Sequence, residues 1–332
     1  MVKIDIISGF LGAGKTTWIN KLLSEAYDES MVIIENEFGE IGIDGELLSG
    51  YNAQVREITA GCICCTLYGD FMIALSQIIA DLHPSRILIE PTGIGRSNDV
   101  IRACHKIVGE GLAQINAVIT VLDATMLPVF IDMGGELYSD QIKTAHTLLV
   151  SHIEDCESEE EVQSVVLTLS ELNPNAYVIA KPWAEISAFD ILAIAEEQTL
   201  SRLETNAEKR HNSHRFSFYK PAEQSARGNH QHSEHAHHGL ENNNEGFSYI
   251  SLRPIKRFSE DDLNTFFSLV SDGCFGVVFR TKSLLTMADG HRIKVDYVFG
   301  KWRRETYTGK SEDRVVLIGQ NLLMPAQRLF AE

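Results

Sequence analysis

The chain has 332 residues, of which 44% are hydrophobic, and its formal net charge is −17. This length suits two domains, and the composition excludes the disordered and fibrous classes. The acidic balance argues against a nucleic-acid partner, because binding to a phosphate backbone draws on clustered lysines and arginines, and it suits metal ions and basic protein surfaces better.

The first predicted element is a short strand over residues 4–7. Asp5 and Gly9 keep this apolar run far shorter than a signal peptide or a membrane span requires. We therefore expect a cytoplasmic protein that does not associate with a membrane and whose thiols stay reduced.

Short apolar segments then alternate with amphipathic ones. A helix is predicted over Lys15–Ala26, where Trp18, Ile19, Leu22 and Leu23 recur at helical spacing. Further strands are predicted at residues 31–34, 86–89, 117–122, 147–150 and 177–180, with a helix at 71–82. Short strands that alternate with helices predict an α/β fold with a doubly wound, mostly parallel sheet. We assign residues 1–200 to this domain.

The character of the sequence changes near residue 201. Residues 201–246 are polar, which predicts a linker or an exposed loop. Beyond it, strands are predicted at residues 247–252, 276–280, 293–299 and 314–318, and helices at 260–270 and 325–330. This pattern predicts a second, smaller α+β domain over residues 247–332.

A complete phosphate-binding loop follows the first predicted strand. Residues 9–16 read Gly-Phe-Leu-Gly-Ala-Gly-Lys-Thr and precede a predicted helix, as the mechanism of a P-loop requires. The backbone N–H groups of such a loop wrap phosphates, Lys15 reaches the β- and γ-phosphates, and the Thr16 hydroxyl ligates Mg²⁺. The predicted nucleotide-binding residues of this segment are Gly9, Gly12, Ala13, Gly14, Lys15, Thr16 and Thr17. The first domain is therefore predicted to be a P-loop NTPase.

A second motif follows the predicted strand at residues 86–89. Glu90 ends this strand and Gly93 comes three residues later. Beside a phosphate loop, Glu90 would hold Mg²⁺ through water, and Gly93 would let the backbone sense a γ-phosphate. The alternative for Glu90 is a solvated loop residue. We predict Lys15, Thr16 and Glu90 as the catalytic residues.

Three cysteines within four positions, Cys62, Cys64 and Cys65, form a tight cluster. Adjacent cysteines cannot meet disulfide geometry without strain, so thiolates that hold a soft metal ion are the better interpretation. A carboxylate from Glu35 or Glu40, or a water, would complete a tetrahedron and leave the metal exchangeable. The alternatives are buried apolar cysteines and, for the acidic segment, a solvated charged turn.

Histidines are concentrated in the predicted linker. Neutral imidazoles bind Zn²⁺ or Ni²⁺, so this segment is a candidate for capturing or buffering metal. The alternative is a disordered polar linker. The residues concerned are His230, His232, His235, His237 and His238.

These motifs, in this order, resemble the CobW-like family of P-loop GTPases, and the resemblance spans nearly the whole chain. It includes the C-terminal segments at residues 279–282 and 315–319. The resemblance implies a GTPase domain, a CobW C-terminal domain and a Cys-x-Cys-Cys site for zinc or a neighbouring transition metal. Members of the family are regarded as metallochaperones or metal-insertion GTPases.

One motif departs from the family pattern. Where the family shows Asn-Lys-x-Asp or Thr-Lys-x-Asp, residues 151–154 read Ser-His-Ile-Glu. By resemblance, Ser151, His152 and Glu154 would contact the nucleotide, with Glu154 in place of the carboxylate that reads guanine and His152 in place of the lysine that packs on the base. We therefore expect a weaker preference for GTP, or tolerance of ATP.

The leading hypothesis is a metallochaperone that hydrolyses GTP to GDP and phosphate to gate delivery of a metal to an unidentified client metalloprotein. Zinc is the favoured metal, with Ni²⁺ and Co²⁺ left open, and a homo-oligomer is possible. A second hypothesis is a metal buffer or sensor with a vestigial nucleotide site. A third is an ATP-using small-molecule phosphotransferase, which ranks lower because a kinase needs an acceptor pocket and gains nothing from a thiolate cluster.

Overall fold

The structure is a computed structural model that describes residues 1–26, 30–35, 54–57, 68–93, 95–133, 135–213, 247–298, 300–309, 311–323 and 330–331. The strands of this part of the chain are β1 (Val2–Gly9), β2 (Met31–Glu35), β3 (Gln54–Glu57), β4 (Arg86–Glu90), β5 (Ala113–Asp123), β6 (Thr147–Ser151), β7 (Tyr177–Ile179), β8 (Phe247–Pro254), β9 (Val277–Thr286), β10 (Arg292–Val298), β11 (Lys301–Thr306), β12 (Arg314–Gln320) and β13 (Phe330–Ala331). The α-helices are α1 (Lys15–Ala26), α2 (Tyr68–Leu82), α3 (Ser97–Gly109), α4 (Leu127–Met133), α5 (Gly135–Thr144), α6 (Glu159–Leu172), α7 (Ala188–Ser213) and α8 (Glu260–Ser271).

Among the described residues, the first sheet has seven strands in the order β3-β2-β4-β1-β5-β6-β7, and all of their pairings are parallel. The predicted doubly wound, mostly parallel sheet is therefore confirmed. Its strands are near-continuous apolar runs because helices cover both faces. On one face, α1 and α7 bury Trp18, Ile19 and Ile191, and on the other, α2 and α3 bury Phe71 and Ile107.

Helix α7 extends into the segment that was predicted as a linker, because it continues to Ser213. The linker prediction at residues 201–246 was therefore wrong for 201–213. That segment is polar but contains glutamate, alanine, lysine and arginine, which are strong helix formers. Residues 214–246 lie outside the described residues. No helix that the structure describes is both long enough and apolar enough to span a membrane.

In the described part of the C-terminal region, the second sheet has six strands in the order β11-β10-β9-β12-β8-β13. Its pairings are antiparallel. Helix α8 covers one face, where Phe266 and Phe267 pack against Val295, Tyr297 and Leu317. The predicted smaller α+β domain is confirmed, and the structure shows that its sheet is antiparallel.

Two details of this domain differ from the prediction. Strand β11 was not predicted, because its residues are mostly polar and it lies at the exposed edge of the sheet. The prediction of a helix at 325–330 was wrong at its C-terminal end, because Phe330–Ala331 forms a strand that pairs with β8. Without β13, strand β8 would have unpaired backbone N–H and C=O groups along this edge of the sheet. Strand β13 pairs with those groups. Residues 324–329 lie outside the described residues.

The two sheets meet through an aromatic cluster around Phe10 of the phosphate-binding loop. The Phe10 ring lies 6.0 Å from the ring of Phe247 and 5.9 Å from that of Phe279, measured between centroids. Val316 and Ile318 of β12 belong to the same buried cluster. The phosphate-binding loop is therefore packed directly against the second domain.

Candidate nucleotide-binding cleft

The phosphate-binding loop connects β1, which ends at Gly9, to α1, which begins at Lys15. The Lys15 side chain is 5% exposed, and its Nζ lies 3.7 Å from Oε1 of Glu90 and 3.4 Å from the carbonyl oxygen of Phe10. A lysine is almost never this deeply buried unless it is paired. The structure therefore brings the predicted catalytic pair Lys15 and Glu90 together at the carboxyl edge of the sheet.

Glu35 occupies the neighbouring position at the same edge. It ends β2 directly beside Glu90 in the strand register, and it is 2% exposed. Two glutamates therefore end adjacent strands next to the phosphate-binding loop. Hard oxygen donors of this kind suit Mg²⁺, as does the hydroxyl of Thr16, which lines the cleft described below.

The loop after β4 packs against the phosphate-binding loop. A Cβ atom added at Gly93 would lie 3.1 Å from the backbone nitrogen of Leu11, so a side chain there would push the two loops apart by a few tenths of an ångström. The buried Gln141 side chain donates from Nε2 to the carbonyl oxygens of Gly93 and Gly95, at 3.2 and 3.1 Å. Gln141, which the sequence analysis did not single out, therefore holds the predicted phosphate-sensing segment in place.

The residues that follow β6 form the other end of the site. The Ser151 hydroxyl lies 2.7 Å from the carbonyl oxygen of Ala13, so it ties β6 to the phosphate-binding loop. His152 has a left-handed backbone, with a φ of 56°, and its Nδ1 lies 2.9 Å from a carboxylate oxygen of Asp155. This contact lowers the pKa of the Asp155 carboxyl. Asp155 is therefore an ionised acceptor at neutral pH.

A cleft of about 400 Å³ runs from the phosphate-binding loop to these residues and is closed by the second sheet. It is lined by Gly12, Gly14, Lys15, Thr16, Thr17, Asn20, Asp123, Thr125, Met126, His152, Asp155, Arg280, Lys294, Asp296, Val298, Lys301, Arg303 and Glu305. Asp155 is among these residues and Glu154 is not, although both side chains are exposed. A volume of this size fits a small-molecule ligand.

Six of the residues that the sequence predicted for the nucleotide site line the cleft, namely Gly12, Gly14, Lys15, Thr16, Thr17 and His152. Gly9 and Ala13 belong to the phosphate-binding loop, and Ser151 supports it from β6. Other predicted site residues lie outside the described residues, namely Cys62, Cys64, Cys65, Glu40 and the histidines at 230, 232, 235, 237 and 238. Within the part of the chain that the structure describes, no three histidine, cysteine, aspartate or glutamate side chains form a group that could hold a metal.

Trp183 and Asp123 were also missed. Trp183 donates from Nε1 to the carbonyl oxygen of Val150 at 3.0 Å and packs edge-to-face on Trp18 of α1. Asp123 ends β5 and accepts hydrogen bonds at 2.8 Å from the backbone N–H and the hydroxyl of Thr125. The position of Asp123 at the end of a predicted strand was the one available signal in the sequence.

The close contact between Gly12 and Val298 gives a stability prediction. Gly12 has a φ of +77°, and a Cβ atom added there would lie 2.6 Å from Cγ2 of Val298. We expect Gly12→Ala to lower the free energy of unfolding by about 2–4 kcal/mol, from the left-handed backbone and from overpacking. Urea unfolding measures this change.

Gly111→Ala is the matched control, because Gly111 has the same φ of +77° with nothing within 4 Å of its added Cβ. The free energy of unfolding of Gly111→Ala should fall only by the contribution of the left-handed backbone. Adding Val298→Ala to Gly12→Ala should recover the overpacking contribution. Equal losses for the two glycine variants would contradict a close contact between the loop and the second domain.

The first domain matches a known family of nucleotide-binding domains. The domain described as "CobW/HypB/UreG, nucleotide-binding domain" matches residues 3–180. The zinc chaperone YeiR of Escherichia coli (strain K12) is 34% identical over 152 residues, which cover 46% of this chain and 46% of YeiR. The zinc-regulated GTPase metalloprotein activator 1 of Dictyostelium discoideum is 24% identical over 228 residues, which cover 57% of this chain and 47% of that protein.

A solved structure is also similar. The Zn(II)-bound YjiA GTPase from E. coli aligns over 97% of this chain and 95% of that chain, with a TM-score of 0.44 and 16% sequence identity. The alignments with YeiR and the Dictyostelium protein span less than half of either relative's length. The domain match, by contrast, covers more than half of this chain, from residue 3 to residue 180. The chain therefore belongs to the CobW/HypB/UreG family.

Proposed function

We propose that this protein binds and hydrolyses GTP and uses the nucleotide state to control delivery of zinc to a client metalloprotein. The observation that carries the proposal is the buried Lys15, paired with Glu90 at the end of a phosphate-binding loop that opens into the cleft. The family membership and the names of the zinc chaperones among its relatives support it. We also assign the nucleotide-binding domain to the first sheet and its helices.

The chemistry is transfer of a phosphoryl group to water. Lys15 stabilises the negative charge that develops on the phosphate oxygens, and the backbone N–H groups at the start of α1 hold the phosphates. Mg²⁺ would be held by the Thr16 hydroxyl, with Glu90 through water, and would neutralise phosphate charge there. Hydrolysis needs no second organic substrate, in contrast to a kinase reaction.

Asp155, rather than Glu154, is our candidate for the carboxylate that reads the base. Guanine presents the N1–H and N2–H₂ donors, which suit an ionised acceptor at the wall of the cleft. Ser151 stands at the first position of this motif and ties it to the phosphate-binding loop through its contact with Ala13. A carboxylate that reads these donors favours GTP over ATP.

Changing Asp155 to asparagine should lower the affinity for GTP at least about 10-fold, because a charge-assisted hydrogen bond is lost. The same change should raise the affinity for XTP, because the new amide can donate to the 2-oxo group of xanthine. Competition with a fluorescent nucleotide measures both affinities. Glu154→Gln is the matched control and should leave both unchanged. Loss of GTP binding in Glu154→Gln alone would return the role to Glu154.

The metal is cargo in this proposal. Cys62, Cys64 and Cys65 would hold zinc as thiolates, with Glu35 or Glu40 completing the shell, while Ni²⁺ and Co²⁺ are the alternatives. Glu35 supports a link to the nucleotide, because it ends the strand next to that of Glu90. The five histidines between residues 230 and 238 would supply an auxiliary capture segment.

Metal analysis together with a turnover assay tests the function. The wild-type protein should retain about one zinc ion, and Cys64→Ala should lose it, while Cys274→Ala, which replaces an exposed free cysteine, should keep it. GTP turnover should change with added zinc in the wild type and not in Cys64→Ala. A wild-type protein without zinc affinity, or with zinc retained in Cys64→Ala, would contradict the proposal.

A further inference from the structure

The face of the second sheet that meets the first domain is divided into an apolar half and a charged half. Directly opposed residues of antiparallel strands point to the same face. Arg280 pairs with Ile318 in one direction and with Val298 in the other. Both partners pack against the buried cluster around Phe10, so Arg280 lies on the face that meets the phosphate-binding loop.

The same register places the charged half over the cleft. Asp296 and Lys294 follow Val298 at alternate positions of β10, and Arg303 and Glu305 of β11 pair with them. All of these residues, with Arg280 and Lys301, line the cleft. Among the described lining residues five are lysine or arginine and four are aspartate or glutamate, in a chain whose net charge is −17. The cleft is therefore enriched in positive charge relative to the rest of the protein.

Arg280 and Lys294 are the least exposed cations of this wall. Their side chains are 15% and 10% exposed, whereas that of Arg303 is 76% exposed. Arg280 donates to one oxygen of Asp296 at 3.1 Å, and Nζ of Lys294 lies 3.4 Å from the other. One carboxylate therefore orients both cations where they line the cleft.

The position along the cleft identifies the part of a nucleotide that these cations would meet. Val298, the strand partner of Arg280, covers Gly12 of the phosphate-binding loop. Arg280 therefore lies beside the loop that holds phosphates, while Arg303 lies 3.8 Å from Asp155 at the opposite end. A guanidinium next to a phosphate loop is matched to phosphate oxygens, which it contacts through two N–H groups at once.

We propose that Arg280, supported by Lys294, binds the polyphosphate chain of the nucleotide, so that the nucleotide is held between the two domains. This inference rests on the proposed nucleotide-binding function and adds a phosphate-binding residue from the second domain. The phosphate-binding loop and the second sheet would then contact the nucleotide from opposite sides. A bound nucleotide would stiffen the contact between the domains.

Nucleotide titrations of the full chain test this inference. Arg280→Gln should raise the Kd for GTP and GDP on the order of 10- to 100-fold, the loss expected for a charge-assisted contact. Arg280→Lys should recover part of the affinity, since it keeps the charge but not the planar fork. Lys294→Gln should weaken binding by a smaller factor. Affinity for guanosine, which has no phosphate, should not change in any of them.

Arg304→Ala is the matched control, because Arg304 lies on the opposite face of the same sheet, paired with Glu260. It should bind GTP like the wild type. Lys15→Ala separates the two claims. Loss of GTP binding in Lys15→Ala with wild-type binding in Arg280→Gln would overturn this inference and leave the proposed function standing. Parallel losses for GTP and guanosine in Arg280→Gln would show a role in folding only and would also overturn it. A wild-type protein that binds no GTP would overturn both.

Discussion

Replacing Lys15 by alanine should reduce the rate of GTP hydrolysis by at least about 10²-fold, the effect of removing one preorganised charge-stabilising group from a reaction centre. Nζ of Lys15 lies 3.7 Å from Oε1 of Glu90 and the side chain is 5% exposed, so its ammonium group acts where water screens it little. The same change should weaken binding of both GTP and GDP. Release of phosphate and titration with a fluorescent nucleotide measure the two effects.

Lys21→Ala is the matched control for this prediction. Lys21 belongs to the same helix but forms an i,i+4 pair with Glu25 on its surface, a contact that contributes little. Its removal should leave hydrolysis within about twofold of the wild type, given that small contribution. Hydrolysis by Lys15→Ala at the wild-type rate would show that this cleft is not the reaction centre.

Replacing Phe10 by alanine should lower the free energy of unfolding by about 3–5 kcal/mol, the usual cost of truncating a buried phenylalanine. The Phe10 ring is fully buried and contacts the rings of Phe130 and Tyr138 in the first domain and of Phe247 and Phe279 in the second. Because these contacts join the domains, the thermal transition should also become less cooperative. Calorimetry and urea unfolding measure both quantities.

Phe189→Ala provides the reference, since that side chain is 63% exposed and its loss should cost less than about 0.5 kcal/mol. Phe10→Leu should fall between the two, because it keeps most of the buried apolar volume. A cost for Phe10→Ala as small as that for Phe189→Ala would mean that the phosphate-binding loop does not depend on the second domain.

The parts of the structure set by local sequence could be predicted. The start of α1 at Lys15 follows from a glycine-rich turn and apolar residues at helical spacing, and Glu90 follows from its position at the end of an apolar strand. Such signals lie within about a dozen neighbouring residues. They were sufficient to place one wall of the cleft and to connect it with phosphate chemistry.

The opposite wall could not be predicted, because it depends on pairing between distant segments. Arg280 reaches the phosphate-binding loop only through the register of β9 with β10 and β12, which no short pattern reveals. The preference for Asp155 over Glu154 depends likewise on the left-handed backbone at His152 and the turn that follows. Strand β11 was missed because an exposed edge strand shows no apolar alternation.

We propose that the nucleotide and zinc affinities of this protein are coupled through the adjacent strand ends at Glu35 and Glu90. The most direct test is the affinity for Zn²⁺, measured by competition with a chelator, in the nucleotide-free, GDP-bound and GTP-analogue-bound protein. We predict that these affinities differ by roughly 5- to 150-fold, and that zinc changes nucleotide affinity by the same factor, as reciprocity requires. Identical zinc affinities in all three states would contradict the account.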